Sequence, residues 1–165
     1  MSNDQLNQSL SSNMEFLTFT LGNENYGVDI LRVREIRGWE KIRELHDTPD
    51  YVKGVLDLRG SIVPIIDLRV RFGIANYEYR STTVIIVLAA DDEGGKMGIV
   101  VDSVSDVLAV SQADIKATPS LGSKINTDYI HGMVTTDDHM VMLVESNKLL
   151  DTETFEVISS LEGVA

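Results

Sequence analysis

Hydrophobic and polar residues alternate along most of the chain, and this pattern predicts an all-β protein. The apolar segments are short and rich in Val, Ile and Leu, and polar residues with Gly, Asn or Asp separate them. The predicted strands cover residues 15–21, 26–38, 51–58, 61–68, 82–90, 97–110, 129–132 and 139–144.

One predicted strand, residues 26–38, does not keep a single alternation. Val28 and Ile30 share one face, whereas Leu31 and Val33 share the other. A β-bulge adds one residue and exchanges the two faces of a strand. We therefore interpret this segment as one strand with a bulge at Ile30–Leu31.

The second half of the chain resembles the first. Residues 26–36, "YGVDILRVREI", align with residues 97–107, "MGIVVDSVSDV". A Thr-Pro pair and a Tyr-aliphatic-x-Gly motif follow in both halves, "YVKG" at Tyr51 and "YIHG" at Tyr129. A duplicated unit of about five short strands explains these matches, and it favours two small barrels over one open sheet.

The two ends of the chain differ from the repeated part. The first residues are polar and lack the basic start and apolar stretch of a signal peptide, so we expect an unstructured tail. Phe155, Ile158 and Leu161 recur at helical spacing and predict a C-terminal amphipathic helix. We therefore divide the chain into a tail at 1–14, a two-barrel domain at 15–150 and a helix at 151–163. Within the domain, one barrel is expected to consist of approximately residues 26–80, and the other of residues 15–25 together with 82–146.

Composition narrows the class of function. The chain is 43% hydrophobic, has no cysteine and carries a formal net charge of −12. Without cysteine it can form neither a disulfide nor a thiolate zinc site. The acidic charge disfavours nucleic acid, and no apolar run reaches the roughly 18 residues of a membrane helix. We expect a soluble, cytoplasmic protein that inserts into no membrane.

Candidate catalytic or metal-binding residues are few. His46, His131 and His139 follow no ligand spacing and read best as solvated turn residues. Asp57 and Asp67 resemble a pair of carboxylates, but nothing in the sequence supplies a nucleophile beside them. We expect no catalytic residue, no metal and no cofactor. A small hydrolase is therefore a weaker hypothesis than either a scaffold or another interaction module.

The hairpin "VLDLRGSIVPIIDL" places Arg59 at its turn and Pro64 inside its second strand. Proline donates no backbone hydrogen bond, so Pro64 predicts a position where none is needed, at an edge or a bulge. Arg59 is either a solvated turn cation or a group that bridges carboxylates or carbonyls of a partner. The nearby "VREI" segment mixes aliphatic and charged residues, as a barrel strand or an interaction groove would.

Taken together, four segments resemble the CheW family of bacterial chemotaxis adaptors. They are "EFLTFTLGNENYGVDILRVREIRG", "TPDYVKGVLDLRGSIVPIIDLRVRFG", "GIVVDSVSDVL" and "YIHGM", in this order between Glu15 and Leu161. The resemblance implies two five-stranded SH3-like barrels and no catalysis. It also implies an adaptor that binds the cytoplasmic tip of methyl-accepting chemoreceptors and the regulatory domain of the histidine kinase CheA.

The resemblance also implies functional roles for particular residues of this sequence. In the family the V-x-E-I and G-x-x-x-x-R-G motifs contribute to a receptor groove between the barrels. The receptor-binding positions implied here are Val33, Glu35, Ile36, Gly54, Arg59 and Gly60. The aliphatic pair would contact receptor helices or support the groove wall, Arg59 would pair with polar or acidic groups, and Gly54 would keep the groove floor open.

Kinase contacts in the family use the ends of the barrels, which match Thr83, Val84 and Leu121 here. We expect the protein to associate with membranes only through receptor arrays. The alternative is an all-β interaction module of another two-component pathway, like CheV or the regulatory domain of CheA. The chain has no kinase core and no room for a receiver domain after the adaptor, which favours the single adaptor.

Overall fold

A computed structural model describes residues 13–90, 95–117, 129–136, 139–150 and 158. In this part of the chain ten strands form, together with the short helix α1 (Leu68–Arg71) and 3₁₀ turns at Ile30–Arg32, Gln112–Asp114 and Ser146–Lys148. The strands are β1 (Asn13–Leu21), β2 (Glu24–Asp29), β3 (Val33–Gly38), β4 (Val52–Leu58), β5 (Ser61–Asp67), β6 (Val84–Ala89), β7 (Lys96–Val101), β8 (Ser103–Ser111), β9 (Ile130–Thr135) and β10 (Met140–Val144).

The strands form two five-stranded sheets with matching topology. The first has the order β8-β1-β2-β10-β9, and the second has the order β3-β6-β7-β5-β4. In each sheet one parallel pair, β2 with β10 or β5 with β7, joins antiparallel neighbours. We call these sheets barrel A and barrel B.

Each sheet is closed by a pair of hydrogen bonds between its two outer segments. In barrel B, Arg43 exchanges backbone hydrogen bonds with Val55 at 3.0 and 2.8 Å. In barrel A, Lys116 exchanges two bonds of 2.9 Å with Met133. Closure removes the unpaired edges of a sheet, and it confirms the predicted pair of small barrels.

The strands are shared between the barrels differently from the predicted division. The hairpin β1–β2 belongs to barrel A with the last three strands, and the hairpin β6–β7 belongs to barrel B with β3, β4 and β5. Each barrel therefore combines a hairpin from one half of the duplicated sequence with three strands from the other half. The assignment of residues 26–80 to one barrel and of 15–25 plus 82–146 to the other therefore places β1 with its observed partners, but it is corrected for β2, which lies in barrel A, and for β6 and β7, which lie in barrel B.

The phase change at Ile30–Leu31 also has a different cause from the predicted bulge. β2 ends at Asp29, a 3₁₀ turn covers Ile30–Arg32, and β3 begins in the other barrel. The Asp29 carboxylate accepts a 2.9 Å hydrogen bond from the Leu31 amide and caps this turn. The two faces exchange because the chain leaves one sheet for the other.

Three apolar clusters hold the molecule together. Barrel A is filled around Phe16 and Leu143, and barrel B is filled around Ile65 and Val87. The third and largest cluster, which we call the seam core, lies between the barrels and includes Tyr26. Strands of both barrels contribute to the seam core, so burial of this apolar surface holds the barrels against each other.

The ends of the chain are partly outside the described residues. β1 begins at Asn13, so the strand starts before residue 15, where the predicted tail was to end. The predicted helix at 151–163 lies outside the described residues except for Ile158. That residue is helical and is buried in the seam core.

Tyr26 carries a buried hydroxyl that has no hydrogen-bond partner among the described residues. Burial raises the pKa of this hydroxyl to about 12, with a smaller contribution from the charge of Glu24. Because a buried polar group without a partner is destabilising, we expect Tyr26→Phe to raise the free energy of unfolding by about 1 kcal/mol in urea denaturation at neutral pH.

The same substitution should alter the response to alkali. Tyrosine in the unfolded chain titrates near pH 10, so the stability held by neutral Tyr26 is complete below about pH 10 and is lost toward pH 12. Tyr26→Phe should therefore lose less stability than the parent in this range. Tyr77→Phe is the control, since Tyr77 is only half-buried and its hydroxyl has a partner, the Lys53 ammonium at 3.5 Å. Equal alkaline losses in Tyr26→Phe and the parent would contradict the assignment.

Candidate functional site

The turn between β4 and β5 holds Arg59 in a fixed position. Arg59 and Gly60 have φ of 56° and 91°, the left-handed conformation of both central residues in a type I′ hairpin. The Asp57 carboxylate accepts a 2.9 Å hydrogen bond from the Gly60 amide. The Arg59 side chain is exposed, so the turn presents its guanidinium to solvent.

Pro64 lies where the strand needs no donor. Val55, its partner in β4, directs both of its backbone hydrogen bonds away from β5 to Arg43. Pairing of β5 with β7 begins only at Ile65. Pro64 thus lies where no backbone donor is needed, as predicted, but the predicted edge or bulge is wrong, because β5 is an inner strand and its register with β4 is regular at Pro64.

β3 presents Val33 and Ile36 on one face. A register shift after Val33 places Val33 opposite Leu88 and Ile36 opposite Ile86, and both of these β6 residues belong to the seam core. Val33 is half-buried and packs on the seam core, whereas 46% of Ile36 is exposed. This register shift within β3 thus places Val33, which packs on the seam core, beside the exposed Ile36.

Glu35 lies between these residues and faces the other way. A hydrogen bond from Arg37, with the charges of Arg37, Arg59 and Lys96, lowers the pKa of the Glu35 carboxyl. Arg37 also contacts Glu40 at 3.1 Å. The predicted residues Glu35 and Arg59, distant in sequence, therefore lie within electrostatic reach of each other on barrel B.

Gly54 has a structural role other than the expected one of keeping a groove floor open. It is buried in β4 beside the closing bridge, with φ of 151°. A Cβ atom at this position would lie 2.0 Å from the Arg43 carbonyl oxygen. Glycine is needed here because the backbone of residue 43 passes directly over it.

The predicted kinase-contact residues lie in different surroundings. Thr83 is buried, and its hydroxyl accepts a 2.8 Å hydrogen bond from the Arg80 amide. Val84 is half-buried at the start of β6, which is an inner strand rather than the expected edge. Leu121 lies outside the described residues. The Thr83 side chain is thus part of the turn and offers no contact surface of its own.

Asp67 and Arg69 form a buried ion pair that the sequence did not single out. Both side chains are fully buried, and two hydrogen bonds of 2.9 Å join the guanidinium to the two carboxylate oxygens. The Tyr79 hydroxyl donates a further 2.8 Å bond to Asp67. Asp67 is therefore a structural residue, held by an arginine that follows it at the first turn of α1.

Arg69 also connects the two barrels. Its Nη1 donates to the Asp102 carboxylate at 2.8 Å and to the Glu78 carbonyl at 2.7 Å. The second oxygen of Asp102 accepts a 2.7 Å bond from the Gly22 amide in the β1–β2 turn of barrel A. Burial alone would lower the pKa of the Arg69 guanidinium, but the bonds and charges of Asp67 and Asp102 raise it overall.

The repeated tyrosines converge on one arginine. The Arg71 guanidinium lies 3.9 Å from the ring centroid of Tyr51 and 4.7 Å from that of Tyr129. The backbone carbonyls of these tyrosines accept equivalent hydrogen bonds from backbone amides. The Asp67 amide donates to Tyr51 at 2.8 Å, and the Glu145 amide donates to Tyr129 at 2.7 Å. The Tyr-aliphatic-x-Gly motif therefore has the same backbone role in both halves, as a duplication predicts.

Several exposed apolar residues were not predicted as site residues. Leu31 is 78% exposed on the 3₁₀ turn, and the bulge interpretation had placed it inside a strand. Val107, which aligns with Ile36 in the repeat, is also exposed. Applying the repeat alignment to the "VREI" segment would have identified Val107.

No candidate metal centre is assembled in the described part of the chain. It contains no group of three or more His, Cys, Asp or Glu side chains arranged to hold a metal ion. In the same residues no helix is long and apolar enough to cross a membrane. The arrangement consists of rigid β surfaces with exposed aliphatic and charged side chains.

Paired SH3-like barrels that hold an arginine turn beside an exposed aliphatic strand define a protein-interaction domain. The model of the CheW-like domain matches residues 15–154. The chain belongs to the CheW-like domain family.

Relatives of known name support this assignment over most of the chain. The chemotaxis protein CheW of Klebsiella aerogenes is 45% identical over 147 residues, which are 89% of this chain and 87% of that protein. The CheW of Rhizobium meliloti is 37% identical over 142 residues, 86% of this chain and 90% of that protein. The crystal structure of the scaffolding protein TtCheW from Thermoanaerobacter tengcongensis superposes with a TM-score of 0.77 at 31% identity, covering 86% of this chain and 90% of that one.

Proposed function

We propose that this protein is a non-catalytic adaptor of bacterial chemotaxis that couples chemoreceptors to the histidine kinase CheA. Its family and its named chemotaxis relatives support the pathway. The observation that carries the proposal is the rim of barrel B, which is formed by β3 and the Arg59 turn. Ile36 is an exposed aliphatic on one face of β3, and the Glu35–Arg37 pair lies on the other face. An apolar contact flanked by fixed charges is typical of a specific protein interface.

The receptor side of the proposal uses the rim of barrel B. Ile36 contacts apolar side chains of the receptor tip, and Val33 supports it from the seam core. Arg59 pairs with acidic or carbonyl groups, and Gly60 allows the turn that presents it. Glu35 holds Arg37 in place and adds a negative charge to the same rim. Gly54 contributes indirectly, by allowing barrel B to close.

The kinase side of the proposal uses the end of barrel B near Val84, together with Leu121. Thr83 acts there through the turn that it stabilises. The adaptor thus works in the cytoplasm and reaches the membrane only through receptor arrays. Each contact is modest, and the many contacts of an array supply avidity.

Two substitutions test the receptor surface. Ile36→Asp puts a charge into the apolar contact, and Arg59→Asn removes the guanidinium with a residue that tolerates positive φ. We expect each to weaken co-sedimentation with receptor-bearing membranes about tenfold, and to shift the midpoint of thermal unfolding little. The amount of CheA recruited to these membranes should fall by a similar factor.

Arg80→Asn is the matched control for Arg59→Asn, because Arg80 is exposed and lies outside the proposed groove. It should co-sediment like the parent protein. Full co-sedimentation of Ile36→Asp and Arg59→Asn, with both variants folded, would refute the assigned surface. No co-sedimentation of the parent protein with receptors or CheA would refute the proposed function.

A further inference from the structure

We propose that a second interaction surface, a basic and aromatic pocket beyond the end of β3, binds an acidic segment of a protein partner. The pocket has a volume of about 800 Å³ and lies beside Trp39, Tyr79, Ile42 and the cationic residues Lys41, Arg43 and Lys53. We call it the Trp39 pocket. None of its residues belongs to the proposed receptor or kinase contacts, so this surface is additional to them.

The aromatic floor of the Trp39 pocket is rigid. Trp39 and Tyr79 stack with ring centroids 4.3 Å apart and an interplanar angle of 20°. Tyr79 is fixed from below by its hydroxyl bond to the buried Asp67, and the Trp39 amide donates a 3.0 Å bond to the Thr83 carbonyl. Because the rings are already ordered, a ligand that packs on them loses little conformational freedom of the protein.

The cations of the pocket are available to a ligand. Neither Lys41 nor Arg43 forms an ion pair with any residue that the structure describes. The Lys53 ammonium lies 3.5 Å from the Tyr77 hydroxyl and has no carboxylate partner in the described residues. Glu44 is the one acidic side chain in the lining, so the pocket is locally positive on a protein whose net charge is −12.

Trp39 and Ile42 also pack on the barrel B core, but the other barrel closes with different side chains at the equivalent positions. Lys116 closes barrel A as Arg43 closes barrel B. Continuing the repeat alignment places Val110 at the position of Trp39, and the shared Tyr-aliphatic-x-Gly motif places His131 at that of Lys53. Val110 is buried in the barrel A core and offers no aromatic surface. One barrel thus closes without an aromatic and cationic pocket, which favours a binding role for the pocket in the other.

The chemistry of the pocket selects a protein segment as the occupant. Carboxylates would meet Lys41 and Arg43, and one aromatic or aliphatic side chain would pack on the rings of Trp39 and Tyr79. A nucleic acid would extend past the pocket over a surface of net negative charge, which repels phosphates beyond a Debye length of about 8 Å. A short acidic segment stays within the positive area.

Trp39 provides a direct measurement, because it is the only tryptophan of the chain. The probe is an acetylated and amidated peptide of about twelve Asp and Glu residues around a central Phe-Leu pair. We expect it to shift Trp39 emission with a dissociation constant on the order of 100 µM, and to bind more weakly as salt is raised from about 0.05 to about 0.5 M.

Variants distinguish binding in the Trp39 pocket from non-specific electrostatic attraction. Lys41→Gln with Arg43→Gln should weaken peptide binding about tenfold, whereas Lys116→Gln, at the equivalent bridge of barrel A, should leave it unchanged. Far-ultraviolet circular dichroism verifies that both variants are folded. A peptide with Lys in place of Asp and Glu should not bind.

Three results would overturn the proposal. They are no change of Trp39 emission with the acidic peptide, equal loss of binding in the Lys116→Gln control, and tighter binding of oligothymidylate than of the peptide. Receptor co-sedimentation should be the same for the Lys41→Gln, Arg43→Gln variant and the parent. Failure of the pocket therefore leaves the adaptor function untouched, and failure of the adaptor function leaves the pocket untouched.

Discussion

Replacing Gly54 with alanine is expected to lower the free energy of unfolding by about 4 kcal/mol or more. The new Cβ would lie 2.0 Å from the Arg43 carbonyl oxygen and 2.7 Å from its carbon, both of them backbone atoms that cannot rotate away. The φ of 151° adds strain for any residue with a side chain. Relief requires breaking the Arg43–Val55 bridge, which opens barrel B. Urea denaturation followed by circular dichroism measures the loss.

Gly38→Ala is the matched control. Gly38 lies in β3 of the same barrel, and nothing lies within 4 Å of a Cβ atom placed there. We expect this variant to change the stability by less than about 1 kcal/mol. Equal stabilities of the two variants would mean that the bridge is not needed for closure. Any loss of receptor binding in a Gly54 variant should be interpreted only after its folded fraction is known.

Arg69→Met should destabilise the protein by about 3–5 kcal/mol, because it leaves the Asp67 carboxylate buried without its cation. Methionine keeps much of the side-chain volume, so the loss reports mainly on charge and hydrogen bonding. The substitution also removes the bond to Asp102, which links Arg69 to the Gly22 amide of barrel A. Chemical denaturation of the parent and the variant at neutral pH measures the difference.

Arg80→Met provides the comparison, since Arg80 pairs with Glu78 at 3.0 Å but both side chains are largely exposed. An exposed ion pair contributes about 0.5 kcal/mol, so this variant should be nearly as stable as the parent. Combining Arg69→Met with Asp67→Asn should recover part of the loss, because no carboxylate then remains unpaired. A double variant that loses the sum of both single effects would argue against the direct pairing.

Much of the fold was predictable from the sequence because its signals are local. Alternation of apolar residues located the strands, and the repeated Tyr-aliphatic-x-Gly motif predicted two similar barrels. The turn at Arg59 and Gly60 was predicted from the two apolar strands that flank it, and the structure confirms it.

The exchange of hairpins between the barrels could not be predicted in the same way. Alternation reports which residues of a segment are buried, but it does not report against which sheet they are buried. The phase change at Ile30–Leu31 was visible in the sequence, yet a bulge and a passage between sheets leave the same local pattern. Pairing of β2 with β10, distant in sequence, decides between them.

The candidate site was predicted only in part for a similar reason. Ile36 and Arg59 were identified and are exposed, whereas Thr83 was expected at a surface and is buried. Arg69 gave no signal, because an arginine in sequence does not reveal that it is buried against Asp67. The Trp39 pocket joins residues of the segment after β3, of β4 and of the segment before β6, which only the closed barrel brings together.

The exchange of hairpins has a consequence for synthesis of the chain. Barrel B has all its strands once Val101 has left the ribosome, but β1 and β2 are made first and lack β9 and β10 until Val144 has emerged. Until then the barrel A side of this hairpin, for example Phe16, lacks the residues of β9 and β10 on which it packs in the finished barrel. Such late partners make folding slow and favour capture by chaperones, so the hairpin that is translated first among the ten strands is the last to reach its final place.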